Sequence, residues 1–201
     1  MVKRQVKWGL MCWVLFVFTS PAYELGLLHW LDQLGFALVG PANPSKTQTM
    51  ITITDFGDPT FVHIAAIVIM AVLIWSRHFT DCIWIGIVNL PGYLLVTACK
   101  YTVLRPRPSG RLYNIGGYSF PSGHTFATVA LVMSVVILLW PYVKHKWILV
   151  VVSAVWILTI MYSRVYLHAH YLSDVMAGMW LAMGWVLLAN ALKMKIKYYQ
   201  R

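Results

Sequence analysis

The sequence predicts an all-α fold: a bundle of six membrane-spanning helices, both termini cytoplasmic, with an active site at the outer membrane face. Three observations predict it. Sixty per cent of the 201 residues are hydrophobic and only 11% are charged, where soluble domains carry about 25% charged residues. So little polar surface cannot cover that apolar mass in water, and the bilayer is the natural solvent. Apolar residues gather in six runs of helical length, and the 10 Trp and 11 Tyr suit the aromatic belts of a membrane–water interface. Short basic loops recur after every second run, the charge pattern of cytoplasmic connections.

The first run, Trp8–Tyr23, follows Lys3, Arg4 and Lys7, cations that hold a helix end at an anionic leaflet. Its end at Ser20-Pro21-Ala22 also resembles a leader cleavage site, but cleavage would leave five spans and an awkward topology. The segment Glu24–Asp58 falls outside and holds four of the six acids. Its stretch Leu25–Val39, interrupted by His29, Asp32 and Gln33, reads as a helix lying at the interface, and the whole segment as a lid or spacer.

The second run is Phe61–Trp75, preceded by Asp55 and Asp58, for which N-capping is a sufficient role. Within it, His63 reads as a satisfied core histidine, with a functional intramembrane residue as the alternative. The third run, Ile83–Cys99, is kinked by Asn89, Pro91 and Gly92. Thr125–Tyr142, Trp147–Tyr162 and Val175–Leu192 complete the set. Several fall short of the ~20 residues of an upright span, so flanking residues extend them. The terminal tails (the last with Lys193, Lys195, Lys197 and Arg201), the Arg77-His78 turn and the Lys144-His145-Lys146 turn then share one side, the cytoplasm. Residues 1–201 form a single domain, with a core over about 60–192 and an interfacial segment over about 24–58.

The net charge of +10 comes largely from cations beside spans, so the expected partner is the lipid bilayer and not nucleic acid. Cys12, Cys82 and Cys99 are odd in number and lack C-x-x-C spacing, which argues for packing over disulfides or zinc.

One outer loop breaks the charge rule. Residues 100–122 carry Lys100, Arg105, Arg107 and Arg111 with no acid, amid six Pro and Gly residues. Four other loops support the topology, so these cations have a functional reason to lie there. Arg offers a planar fork for phosphate oxygens and Lys a point charge; Lys100, Arg107 and Arg164 lie at the ends of the third and fifth spans or in this loop. Arg105 and Arg111 either touch the same anion or snorkel at the interface. Ser122-Gly123 directly precede the fourth helix, whose N-terminal N–H groups and dipole suit an oxyanion. Together these groups point to a tetrahedral anion.

The histidines supply the rest of the chemistry. Asp174, four residues after His170, accepts from one ring nitrogen and leaves the other free to attack phosphorus. His168 is disfavoured as nucleophile because position 172 is Leu. His124, at the helix start beside the oxyanion site, protonates the leaving oxygen, and water then opens the phosphohistidine. Ser163 is read as positioning a loop. Magnesium takes carboxylate oxygens, and beyond Asp81 the chain holds one acid, Asp174, so no metal or other cofactor is expected.

These residues resemble the type 2 phosphatidic acid phosphatase superfamily of integral membrane lipid phosphatases. Its three-part signature reads here as Lys100, six residues, Arg107-Pro108; Pro121-Ser122-Gly123-His124; and Ser163-Arg164, five residues, His170, three residues, Asp174. Every position matches, over about residues 100–174. The resemblance implies His124 as acid, His170 as nucleophile and Asp174 as its partner, with phosphate bound by Lys100, Arg107, Ser122, Gly123 and Arg164. The short chain resembles bacterial members, whose substrates include undecaprenyl diphosphate, phosphatidylglycerophosphate and phosphatidic acid. An outward-facing site suits undecaprenyl diphosphate, with the other two as alternatives. A lipid transporter would use such cations but needs no His–Asp pair beside an oxyanion nest. A non-catalytic scaffold would not keep the full set, and vanadate-binding haloperoxidase relatives are soluble. The oligomeric state stays open at this level.

Overall fold

A computed structural model describes residues 1–199, with side chains described through Ile196. Arg201 and the side chain of Lys197, read above as part of a C-terminal basic cluster, lie outside the described residues. Among the described residues the fold is all-helical: α1 (Val2–Glu24), α2 (His29–Val39), α3 (Pro44–Asp55), α4 (Pro59–Trp75), α5 (Phe79–Val103), α6 (Gly123–Leu139), α7 (Lys146–Tyr166) and α8 (Leu172–Tyr199).

Local chemistry sets most of the boundaries. Asn43 and Asp58 cap α3 and α4, accepting from Lys46 N at 3.2 Å and Thr60 N at 2.8 Å, each followed by Pro at N1, where its fixed φ and missing N–H cost nothing. Ser122 caps α6. Asp58 therefore has the capping role expected of it, whereas Asp55 is the last residue of α3. Lys100 belongs to the last turn of α5, so the irregular outer loop begins at Leu104 and not at position 100.

Four segments are long and apolar enough to cross a membrane: 44–75, in which α3 and α4 run on without a sharp bend, Phe79–Val103, Lys146–Tyr166 and Leu172–Ile196. A fifth arises if α1 and α2, bent by 98°, count as one span. Helix α6, of 17 residues, is about 26 Å long at 1.5 Å per residue, a little under the ~30 Å hydrocarbon layer. Phe18, Ile64, Val68, Leu94, Val152 and Val155 point outward from the bundle, where only lipid makes such surface tolerable.

The segment Glu24–Asp58 is more than a spacer. It forms two helices, α2 against α7 and α8, and α3 against α7, and buries Asp32 and Thr54. Lys193 reaches Asp81 at 3.2 Å and lies 3.8 Å over the Trp84 ring, tying α8 to α5.

Helix α8 is the hub, packed on α1, α6, α5, α2 and α7. One apolar cluster joins Phe16, Trp84, Ile85, Val88, Phe126, Ala130 and Leu181; a second gathers Met161, Val165, Leu167 and Val175 around α7. Close approach of α8 to the start of α6 requires Gly178, because a Cβ there would lie 2.6 Å from the Ser122 carbonyl oxygen. That contact brings two parts of the signature together.

Candidate active site

Each signature residue is placed by a helix end or by the outer loop. The Ser122-Gly123-His124 turn opens α6; Ser122 N donates to the Asp174 carbonyl at 3.1 Å, and Ser122 Oγ accepts from Thr125 Oγ1 at 3.1 Å. The loop 104–122 is pinned by its own backbone, since Ser119 N donates to the Arg105 carbonyl at 2.9 Å. Lys100 Nζ donates to the Tyr118 carbonyl at 2.8 Å. Arg107 Nη1 donates to the Ala169 carbonyl at 2.7 Å and lies 3.2 Å from His170 Nε2.

That last contact assigns the histidine. A guanidinium has only donors, so Nε2 of His170 presents its lone pair and the ring proton sits on Nδ1. Nδ1 lies 3.6 Å from Asp174 Oδ2, just beyond a normal hydrogen bond, and meets no acceptor in normal hydrogen-bond geometry among the described residues. Asp174 is itself immobilised: Oδ1 accepts from Arg105 Nη1 at 2.7 Å and Oδ2 from Tyr171 N at 3.0 Å. His170 is fully buried, and burial together with Arg164, Lys100 and Arg107 holds its pKa well below the usual value. Its neutral, nucleophilic form is therefore the resting one. Arg107 is pushed down to about 10 by burial and by Arg164 and stays cationic near neutral pH.

Arg164 supplies the clearest sign of a ligand. It is 0% exposed, Nη1 donates to Thr54 Oγ1 at 2.8 Å, and Nε and Nη2 meet no acceptor in normal hydrogen-bond geometry among the described residues, while the Tyr113 side chain also interacts with the guanidinium. Tyr113 places its ring 5.3 Å from the guanidinium. Leaving buried donors unmet costs about 1–3 kcal/mol each, so a fold keeps such donors for a partner that arrives. Arg164, His170, Arg107 and Lys100 all act electrostatically on His124, whose Nε2 faces Asp58 Oδ2 at 3.5 Å. The three cations thus lie within electrostatic range of both histidines.

His168, disfavoured as nucleophile, faces elsewhere. Its ring lies 4.7 Å from that of Phe36, tilted by 39°, and Nδ1 meets the Ser109 carbonyl at 3.2 Å beside a cavity of about 510 Å³ that Asp32, Arg105 and Tyr171 also line. His63 Nε2 meets the Asn89 carbonyl at 3.3 Å, a structural bond between α4 and α5. Arg111 binds the Ile115 carbonyl. Arg105 does not snorkel; it is 3% exposed and paired with Asp32 and Asp174. Ser163 hydrogen-bonds Thr54 and the Ile160 carbonyl. Sequence reasoning missed Asp32, Thr54, Tyr113 and the Asp58–His124 contact. All but Tyr113 come from the segment that precedes the signature, where the one visible signal was a polar break at Asp32 in an apolar stretch.

With this geometry established, comparison with known proteins is decisive. Residues 81–198 match the PAP2 superfamily. The chain belongs to that superfamily. Phosphatidylglycerophosphatase B of Bacillus subtilis is 26% identical over 163 residues, covering 79% of this chain and 80% of that protein. The undecaprenyl-diphosphatase of Sulfolobus acidocaldarius is 40% identical over 86 residues, 42% of this chain and 34% of that protein. A crystal structure of a transmembrane PAP2-type phosphatidylglycerolphosphate phosphatase from Bacillus subtilis superposes with a TM-score of 0.86 at 24% identity, covering 95% of this chain and 98% of that one. That likeness establishes the PAP2 fold over nearly the whole chain, α1 to α4 included.

Proposed function

We propose that this PAP2 protein is a metal-independent hydrolase of lipid phosphates or diphosphates that works through a phosphohistidine on His170. The observation that carries the reading is the buried Arg164, with two unmet donors, within electrostatic range of His170. Phosphate oxygens satisfy Arg164, Arg107, Lys100 and the free N–H groups at the start of α6. Nε2 attacks phosphorus as the bond to the leaving oxygen breaks, and His124 gives that oxygen its proton. Water then attacks the phosphohistidine, His124 takes its proton, and inorganic phosphate leaves with His170 restored. Cations already in place stabilise charge on the equatorial oxygens without reorganisation.

Metal independence rests on the donor set: the Asp174 oxygens are taken up by Arg105 and Tyr171 N, and five cations or imidazoles surround the remaining space. The topology goes with the chemistry. Helices α1, α4, α5, α6, α7 and α8 make six spans with both termini cytoplasmic, and the site opens to the outer side, which a lipid headgroup reaches by lateral diffusion. Impermeant maleimide labelling of Ser109→Cys but not Lys144→Cys in intact cells is the expected result; the reverse pattern would invert the orientation.

Undecaprenyl diphosphate fits an outward-facing site, and the Sulfolobus protein is 40% identical over 86 residues. Phosphatidylglycerophosphate is the second reading, favoured by the long alignment with the Bacillus phosphatase. Phosphate release from polyprenyl diphosphate, phosphatidylglycerophosphate and phosphatidic acid, measured with EDTA present, separates them. His170→Ala abolishes release and the acid-labile phosphoenzyme; equal release by the variant, or none from any lipid, would leave transport or scaffolding as the function.

A further inference from the structure

The catalytic dyad does not end at Asp174. Arg105 donates from Nη1 to Asp174 Oδ1 and to Ser173 Oγ, both at 2.7 Å, and from Nη2 to Asp32 Oδ2 at 2.5 Å. Asp32 Oδ1 in turn accepts from Ser173 N at 3.0 Å and from Ser173 Oγ at 2.7 Å. The guanidinium lies between the rings of Tyr23 and Tyr171, at 4.1 and 4.0 Å. Asp32, Arg105, Ser173 and Asp174 are each at most 4% exposed. Helix α2 is seated against α8 closely enough that a Cβ on Gly35, one turn from Asp32, would meet Leu172 Cβ at 2.6 Å.

We infer that Asp32 is a positioning residue for catalysis: through Arg105 and Ser173 it fixes the orientation and charge of Asp174, and so of His170, making α2 part of the catalytic apparatus. The inference rests on the proposed phosphohistidine chemistry. The physical reason is charge balance. One guanidinium shared by two buried carboxylates leaves Asp174 with its negative charge undiminished, so it can stabilise the imidazolium character that His170 acquires at attack. Without the Asp32 charge, Arg105 would pull wholly on Asp174 and weaken that support. Loss of the Asp32 charge also leaves a more positive surround beside the cations already near His170: Lys100 from α5, Arg107 from the loop and Arg164 from α7, with His124 on α6 and Asp174 the opposing acid from α8.

The test is Asp32→Asn, which keeps shape and removes charge. Its kcat should fall about tenfold or more, since misplacing a reacting group by about 1 Å costs on the order of a hundredfold, with KM little changed. The acid limb of kcat/KM should move to lower pH, because a more positive surround makes His170 harder to protonate. Gly35→Ala disturbs the seat of α2 without altering charge, and should lower kcat with the acid limb in place. Should Asp32→Asn fail to fold in detergent, Ser173→Ala, which keeps every charge but cuts the Asp32–Ser173 bonds, should still lower kcat. Wild-type kcat and an unmoved acid limb in Asp32→Asn would overturn the inference, as would wild-type kcat in Ser173→Ala. These outcomes are read only against an active wild type and an inactive His170→Ala, so failure of the underlying chemistry shows itself separately.

Discussion

Replacing Gly178 with Ala should cost more in rate than in stability. The new Cβ would sit 2.6 Å from the Ser122 carbonyl oxygen, 3.4 Å from Thr125 Cβ and 3.5 Å from Phe126 N. Ordinary contact begins at 3.4 Å, so the two helices must part by 3.4 − 2.6, or about 0.8 Å, since overpacked backbone cannot rotate away as a side chain would. Overpacking costs roughly 1–3 kcal/mol, but Ala is the better helix former by about 1 kcal/mol. The net loss of stability is therefore small, of order 0–2 kcal/mol. The rate has no such offset. The strained contact is the one that holds the helix-start anion site and His124 against Asp174, through the Ser122 N to Asp174 carbonyl bond. Displacement of reacting groups by about 1 Å costs on the order of a hundredfold, so kcat should fall between tenfold and a hundredfold. Phosphate release from the preferred lipid gives kcat, and tryptophan fluorescence on heating in the same detergent gives stability. Gly86→Ala is the control, because its Cβ would meet only the flexible end of Met70, at 3.3 Å, and both readouts should stay near wild type. Wild-type kcat in Gly178→Ala would refute the claim that this contact sets the register of the site.

Two further predictions follow from the cations and from His170. Arg164→Lys keeps the charge but loses the planar fork whose Nε and Nη2 await a ligand; kcat should drop about a hundred- to a thousandfold, as when one oxyanion donor is removed, while the circular dichroism spectrum stays that of the wild type. The pH profile of kcat/KM reports the free enzyme. Protonated His170 cannot attack, and burial with Arg164, Lys100 and Arg107 disfavours that form, so activity should be lost only as pH falls through a value below the ordinary ~6.5 of histidine. An acid limb centred at or above that value would contradict the reading.

Much of the site was legible in the sequence because its chemistry is local. His170 and Asp174 share a face by helical spacing, Ser122 announces a helix start, and cations in a loop that should lack them betray an anion. The class of fold followed from the same kind of reasoning, since an apolar excess leaves the bilayer as the one fitting solvent. Helix ends were harder: Lys100 and Lys3 sit inside helices because tertiary packing and the membrane tolerate a long side chain at a helix end, which periodicity does not register.

What the sequence by itself determined is the all-helical membrane class, the three-part signature and the candidate groups for phosphate. Only the tertiary structure decided which of the remaining polar residues matter. Arg105 and Arg111 look alike in the chain, yet one is buried between two carboxylates and the other braces a loop turn. Asp32, Thr54 and Asp58 lie between 66 and 141 residues before the partners they reach, counting from Asp58 to His124 and from Asp32 to Ser173, and no spacing rule spans that distance. Burial makes the difference physical. A charge in the interior must find its counter-charge wherever the fold brings one, and the fold brings it from α2.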